Sequence, residues 1–154
     1  MENLLTVRTQ SAAETEAVGA ELAKKMLEDP SIPPFVALYG DLGAGKTAFV
    51  RGFASVVAPG VTVRSPTFAL VNEYRAKPRP IFHFDMYRIS GEDDLLSIGF
   101  YDYLDRPGIC LVEWSENIPY ALPDDYIRVE IRKDDPDKPD SRALTAEQLG
   151  GAGA

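Results

Sequence analysis

The chain has one cysteine, one histidine and one tryptophan among 154 residues. A single cysteine, Cys110, can form neither an internal disulfide nor a thiolate metal cluster. It sits in the apolar run Ile109-Cys110-Leu111-Val112 and reads as a small buried hydrophobe rather than a nucleophile. Long hydrophobic runs are also missing. None approaches the roughly 18 apolar residues of a membrane span, and Met1 to Arg8 lacks the basic start and apolar core of a secretory signal. The expectation is a cytoplasmic protein with no membrane contact. Basic charge is scarce too: 16 Lys and Arg stand against 24 Asp and Glu, a formal charge of −8. Proteins that grip a nucleic-acid backbone usually carry a basic face, because neutralising phosphates releases counterions. No Lys/Arg stripe with interleaved aromatics is found here, so direct, tight binding of tRNA or DNA is disfavoured. A local basic patch remains compatible with the net charge.

The chain has a 45% hydrophobic and 26% charged composition, as globular proteins do. Its length suits one domain with a real core. Residues 1–149 are expected to form that domain and residues 150–154 a frayed, disordered tail. Leu4 to Val7 reads as a short strand. Ser11 then opens a helix, with Glu14 three residues on in a capping-box pattern. Val18, Leu22 and Met26 follow at four-residue steps on one face, and Asp29-Pro30 stops the helix. Phe35 to Tyr39 is a continuous apolar run, as in a central strand covered on both sides. A helix from Lys46 to Val57 follows a glycine-rich turn. Strands are expected at Val61–Arg64, Phe68–Tyr74, Ile81–Phe84 and Ile109–Val112, with a more exposed one at Tyr126–Ile131. A short helix should contain Leu95, Leu96 and Ile98, and Arg142–Thr145 could return as an edge strand. Strand–helix alternation through the first half points to an α/β sandwich with a mostly parallel central sheet and flanking helices.

The turn after Tyr39, Gly40-Asp41-Leu42-Gly43-Ala44-Gly45-Lys46-Thr47, matches the phosphate-binding loop G-x-x-x-x-G-K-[ST]. Glycines let the main chain fold around a polyphosphate with its N–H groups pointing inward. The next helix opens with unsatisfied N–H groups and a partial positive charge, which suits an anion. Lys46 would reach the β- and γ-phosphates, and the Thr47 hydroxyl would ligate Mg²⁺. An apolar strand before the motif and a helix after it are the setting the motif requires.

Phosphate chemistry of this kind also needs a carboxylate at Mg²⁺ and a group that orients the nucleophile. Asp85 and Glu113 each end an apolar strand, and ligands of open α/β sheets bind beyond the carboxyl ends of the strands. Taken singly, either could equally be a solvated turn residue or a cap. Thr67, in Ser65-Pro66-Thr67-Phe68 about twenty residues past Lys46, stands where a switch segment can close over Mg²⁺, although Ser-Pro by itself reads as a turn. His83, inside an apolar strand, reads first as a structural histidine. Trp114 is either core packing or a stacking surface, and Arg88 either a surface ion pair or a charge stabiliser.

Taken in order, these blocks resemble one family, the bacterial TsaE (YjeE) ATPases of tRNA threonylcarbamoyladenosine (t6A) synthesis. They are Leu38 to Thr47, Ser65-Pro66-Thr67-Phe68, His83-Phe84-Asp85-Met86-Tyr87-Arg88 and Ile109 to Trp114, with Ser11, Thr15 and Gly19 fitting a looser pattern upstream. The resemblance spans roughly residues 10–130. Ala48 departs from it, standing where the family often has a second Thr. The resemblance implies a weak P-loop ATPase using ATP and Mg²⁺. It implies action with TsaB and TsaD, and TsaC in the same pathway, on adenosine 37 of tRNAs reached only through those partners, with hydrolysis supporting repeated turnover. Implied roles are Gly40, Asp41, Gly43, Ala44, Gly45 and Lys46 on phosphate, and Thr47 and Glu113 at Mg²⁺. Thr67 and Asp85 belong with Glu113 to the switch and hydrolytic machinery, and Ser11 and Trp114 lie near the nucleotide or a partner. The chain alone is expected to be a monomer.

Two other functions use the same loop. A small-molecule kinase needs an acceptor pocket and an Arg-rich lid that excludes water; no insertion is long enough to be an obvious lid, with the Lys77–Pro80 and Asp134–Asp140 loops as the candidates. A GTPase-like switch needs a guanine-reading Asn-Lys-x-Asp segment, but Asn72 and Asn117 are followed by Glu and Ile.

Overall fold

A computed structural model describes residues 2–40, 45–64, 66, 70–77 and 79–150. Strand β1 (Glu2–Thr9) leads into helix α1 (Ala12–Glu28), then β2 (Phe35–Tyr39) and α2 (Lys46–Val57). Strands β3 (Val71–Tyr74) and β4 (Ile81–Asp85) precede two short helices, α3 (Glu92–Ser97) and α4 (Phe100–Leu104). The chain closes with β5 (Ile109–Glu113), two 3₁₀ turns, β6 (Tyr126–Arg132) and β7 (Arg142–Leu149).

The strands form one seven-stranded sheet in the order β1-β7-β6-β2-β5-β4-β3, which puts β2 at the centre. The ladders β6–β2, β2–β5 and β5–β4 are parallel; those joining β1, β7 and β3 are antiparallel. The parallel core matches the sequence reading, but the flanks are more antiparallel than "mostly parallel" implies.

Alternation along the central strands divides the core between the two faces of the sheet. Val36 and Leu38 of β2, with Ile109 and Leu111 of β5, pack with Leu22, Met26, Phe49 and Phe53 of α1 and α2. Phe35, Ala37, Cys110 and Val112 pack on the other face with Leu95 and Phe100 of α3 and α4. Both faces are therefore covered, which explains why β2 and β5 read as unbroken apolar runs. Cys110 is buried there, and burial pushes its thiol up to about 12.

Helix α1 starts as its sequence dictates. The Ser11 hydroxyl accepts the Glu14 N–H at 3.1 Å, and the Glu14 carboxylate reaches back to the Gln10 N–H at 3.1 Å. Farther along, α1 meets α2 at two glycines. A methyl on Gly19 would overlap the Phe49 carbonyl, and one on Gly52 would overlap the Glu16 carbonyl. The two helices thus approach main chain to main chain, and α2 is clamped against α1 along its middle, from Phe49 to Phe53.

Three local expectations are corrected. Residues 61–64 form no strand; the Arg64 main chain is served by side chains instead, through the Tyr74 hydroxyl and the Asn72 amide. Strand β3 starts only at Val71, after Leu70 at φ +68°; residues 67–69 lie outside the described residues. The last strand is longer than expected and is not an edge: β7 lies between β1 and β6. Its Leu144 and Ala146 enter the core, which a peripheral strand would not require. Helix α4 was not foreseen. Gly99, at φ +73°, breaks the chain after α3 and lets a second short helix start at Phe100.

Candidate phosphate-binding site

The central strand delivers the chain to the site. Tyr39 ends β2, Gly40 turns at φ +151°, and the main chain returns at Gly45, φ +110°, as the residue before α2. Both angles lie where a side chain is disfavoured, which accounts for glycine at these two positions of the motif. Asp41, Gly43 and Ala44 lie outside the described residues. Gly45, the residue before α2, has no side chain to cap it, and the opening turn of a helix is where main-chain N–H groups suit an anion. Lys46 is buried at the start of this helix. Its ammonium donates to the Gly40 carbonyl at 2.6 Å and lies 3.8 Å from the centre of the Trp114 ring. Thr47, next along, is half-buried.

The two carboxylates that sequence placed at strand ends are brought together. Asp85 of β4 and Glu113 of β5 are register partners on adjacent parallel strands, and Glu113 in turn pairs with Leu38 of β2. Alternation points both toward the face covered by α2. Each is buried, at 5% and 4% exposure, so neither is the solvated turn residue that its position alone allowed. The Asp85 carboxylate accepts the Tyr87 N–H at 2.9 Å. Glu113 accepts from His83 Nε2 at 2.5 Å, and His83 Nδ1 lies 3.0 Å from the Tyr74 hydroxyl. The single histidine is thus structurally satisfied, as expected of one in an apolar strand, but its partner is a candidate site residue.

The turn after β5 carries Trp114 at φ +59°, a conformation unusual for a bulky residue. This geometry places the indole between Lys46 and Tyr87, whose ring centre is 4.9 Å away. Asn117 secures the facing turn through its side-chain amide, which donates to the Met86 carbonyl at 2.9 Å. The Met86 N–H pairs with the Glu113 carbonyl at 3.0 Å. Arg88 is exposed.

Two cavities flank the loop. One of about 100 Å³ is lined by Ser11, Thr15, Gly45, Ala48, Asp140 and Arg142, which brings the N-cap of α1 beside the start of α2. The other, of about 510 Å³, opens beside Gly40 and runs along Tyr39, Arg128, Glu130 and Arg132. Arg128 stacks on Tyr39 at 4.3 Å. Burial raises the Tyr39 phenol above its ordinary range, so that ring is an uncharged wall.

A family model described as threonylcarbamoyl adenosine biosynthesis protein TsaE matches residues 9–143, which include every element around this site. The chain belongs to the TsaE family. Among TsaE proteins, that of Haemophilus influenzae is 41% identical over 112 residues, covering 73% of this chain and 70% of the relative. That of Bacillus subtilis is 36% identical over 126 residues, covering 82% and 76%. The crystal structure of Bacillus subtilis YdiB superposes with a TM-score of 0.73 at 32% identity, covering 98% of this chain and 88% of that one. The expectation of TsaE membership is therefore met.

Of the site residues expected of a TsaE protein, the structure gathers Gly40, Gly45, Lys46, Thr47 and Trp114 at the N-terminus of α2, and it pairs Asp85 with Glu113, the residue before Trp114. It sets Ser11 one cavity wall away. Thr67 lies outside the described residues. Sequence reasoning missed Tyr74 and Asn117. Tyr74 ends a short antiparallel strand with no motif around it, and only the β3–β4 register brings it near His83. Asn117 stands four residues past Glu113, and the turn that folds it back onto Met86 has no local signature.

Proposed function

We propose that this chain is the Mg-dependent ATP-binding and ATP-hydrolysing component of t6A synthesis, supporting turnover of a complex with TsaB and TsaD while TsaC acts in the same pathway. The supporting observation is the Lys46 ammonium, held at the Gly40 carbonyl on the mouth of the phosphate loop. This lysine opens helix α2, and its ammonium lies against Trp114, the residue after Glu113, which is the register partner of Asp85. Few arrangements offer main-chain N–H groups, a cation and two carboxylates to one polyphosphate.

Thr47, Asp85 and Glu113 supply oxygen donors. These fit Mg²⁺, which takes one or two carboxylates and completes its shell with phosphate oxygens and water. When bound, Mg²⁺ would neutralise charge on the phosphate tail. The residues then divide the work. Lys46 leaves the Gly40 carbonyl for the β- and γ-phosphates, Gly40 to Gly45 present N–H groups, and Thr47 and Glu113 hold the cation. Asp85, with Thr67 from the switch segment, orients the attacking water, and the Trp114 ring excludes solvent over the lysine. Ser11 and the cavity beside Gly45 flank the nucleoside end.

The acidic chain leaves the tRNA to its partners, and the reading is of a cytoplasmic protein. No helix among the described residues is long and apolar enough to cross a membrane. Reconstitution tests the proposal: modified nucleoside is counted over many turnovers with ATP, tRNA, TsaB, TsaD and TsaC. If multiple-turnover synthesis proceeds equally well without this chain, the proposal fails.

A further inference from the structure

We propose that His83 and Tyr74 are positioning residues that set the Glu113 carboxylate for its cation. The inference rests on the reading of Glu113 as a Mg²⁺ ligand and adds two residues that no motif assigns to the site.

The argument starts from burial. His83 is fully buried, Glu113 is 4% exposed and Tyr74 7%. Side chains so enclosed have no water to satisfy them, so each polar atom depends on its neighbours. A carboxylate oxygen accepts only, so the 2.5 Å contact assigns the ring hydrogen to His83 Nε2. With that hydrogen committed, Nδ1 is left as an acceptor facing the Tyr74 hydroxyl at 3.0 Å, and the single hydroxyl hydrogen is shared between it and the Arg64 carbonyl at 3.1 Å. The Tyr74 oxygen in turn accepts the Arg64 N–H at 3.3 Å. The result is a connected network, Arg64 main chain to Tyr74 to His83 to Glu113, in which the His83 donor fixes the carboxylate and Tyr74 fixes the ring.

Two consequences follow for the carboxylate. The His83 bond engages one lone pair of Oε2, which makes Oε1 the less committed oxygen to present to a cation. The bond also stops rotation about the terminal torsion, which is otherwise soft in Glu. Partners of this kind behind a metal ligand typically matter on the order of 10- to 100-fold in metal affinity. Arg64 directly precedes Ser65-Pro66-Thr67, so the same chain ties Glu113 to the root of the switch segment.

The test uses Mn²⁺ as the probe, read by the electron paramagnetic resonance of the free ion titrated onto the full chain with nucleotide. A second titration, nucleotide alone in EDTA, reports phosphate-loop binding without metal. His83→Leu removes the donor, and His83→Gln restores an N–H near the position of Nε2. Tyr74→Phe removes only the hydroxyl; melting curves confirm that each variant is folded. The expected result is Mn²⁺ affinity lowered about tenfold or more in His83→Leu, partly recovered in His83→Gln and lowered less in Tyr74→Phe. Metal-free nucleotide affinity should be unchanged in all three. Wild-type Mn²⁺ affinity in folded His83→Leu, or equal loss of both affinities, overturns the inference. Glu113→Gln separates the two readings. If it loses Mn²⁺ while His83→Leu keeps it, only the positioning role falls; if it too keeps Mn²⁺, Glu113 is not a ligand and both readings fall.

Discussion

Replacing Gly52 by alanine sets two effects of opposite sign against each other. In a helix interior, alanine is favoured over glycine by about 0.8–1 kcal/mol, so on local grounds α2 should become more stable. The tertiary structure opposes this. The new methyl would overlap the Glu16 carbonyl oxygen and lie 2.7 Å from the Glu16 Cα. Both atoms belong to the main chain of α1, so no rotamer change relieves the contact and the helices must separate. Overpacking of a close-packed interior costs typically about 1–3 kcal/mol, and an overlap between two rigid backbones belongs at the upper end. The balance is a loss of about 2 kcal/mol. At about 2–4 °C per kcal/mol for a chain of this size, Tm should fall by about 4–8 °C. Differential scanning calorimetry measures it directly. Gly91→Ala is the control: that residue has extended backbone and nothing within 4 Å of a methyl, so its Tm should scarcely move. Gly19→Ala, which meets the Phe49 carbonyl from the opposite helix, should resemble Gly52→Ala. The double variant should cost less than the sum, because helices already separated admit the second methyl. A Tm for Gly52→Ala equal to or above that of the wild type would refute the close-crossing argument, since helix propensity would then have won.

Other substitutions probe the site. Lys46→Ala should weaken Mg-nucleotide binding about 10- to 150-fold by calorimetry while the fold survives, because it removes a charge-assisted contact worth roughly 1.5–3 kcal/mol; unchanged affinity in the folded variant contradicts the assignment. Ser11→Ala removes the α1 cap and should cost about 1 kcal/mol, read as a lower melting temperature. If Ser11 also flanks the nucleoside, affinity for ATP falls as well, and an unchanged affinity reduces Ser11 to a cap. Cys110 gives a pH signature. Its folded pKa is about 12 against an ordinary 9.0, so the folded state holds that proton more tightly than the unfolded state. The resulting stability is complete below about pH 9 and is lost as pH rises toward 12. Cys110→Ala should therefore flatten the alkaline limb of a denaturation curve, and in the native wild type the thiol should resist alkylation at pH 8.

The parts of the site legible in the sequence are those written in contiguous residues. The phosphate-loop pattern is one such part, because φ-permissive glycines, a lysine and a hydroxyl must fall at fixed offsets between a strand and a helix. The Ser11–Glu14 cap is another, because both of its hydrogen bonds close within one helical turn. Asp85 and Glu113 could be nominated separately, each ending an apolar run, but nothing local paired them. The errors have the same origin. Residues 61–64 have strand-like composition, yet at Arg64 it is the Tyr74 and Asn72 side chains that take the main-chain bonds a neighbouring strand would have made.

The sequence by itself determined that a glycine-rich turn with the phosphate-loop pattern follows a central strand buried on both faces, since period, glycine placement and helix capping depend only on neighbours a few residues apart. Only the tertiary structure decided which strands lie side by side. Register is settled when distant segments bury their apolar faces together, and that register put Asp85 beside Glu113 and β7 inside the sheet. It also brought Tyr74, through His83, within reach of a carboxylate thirty-nine positions away along the chain.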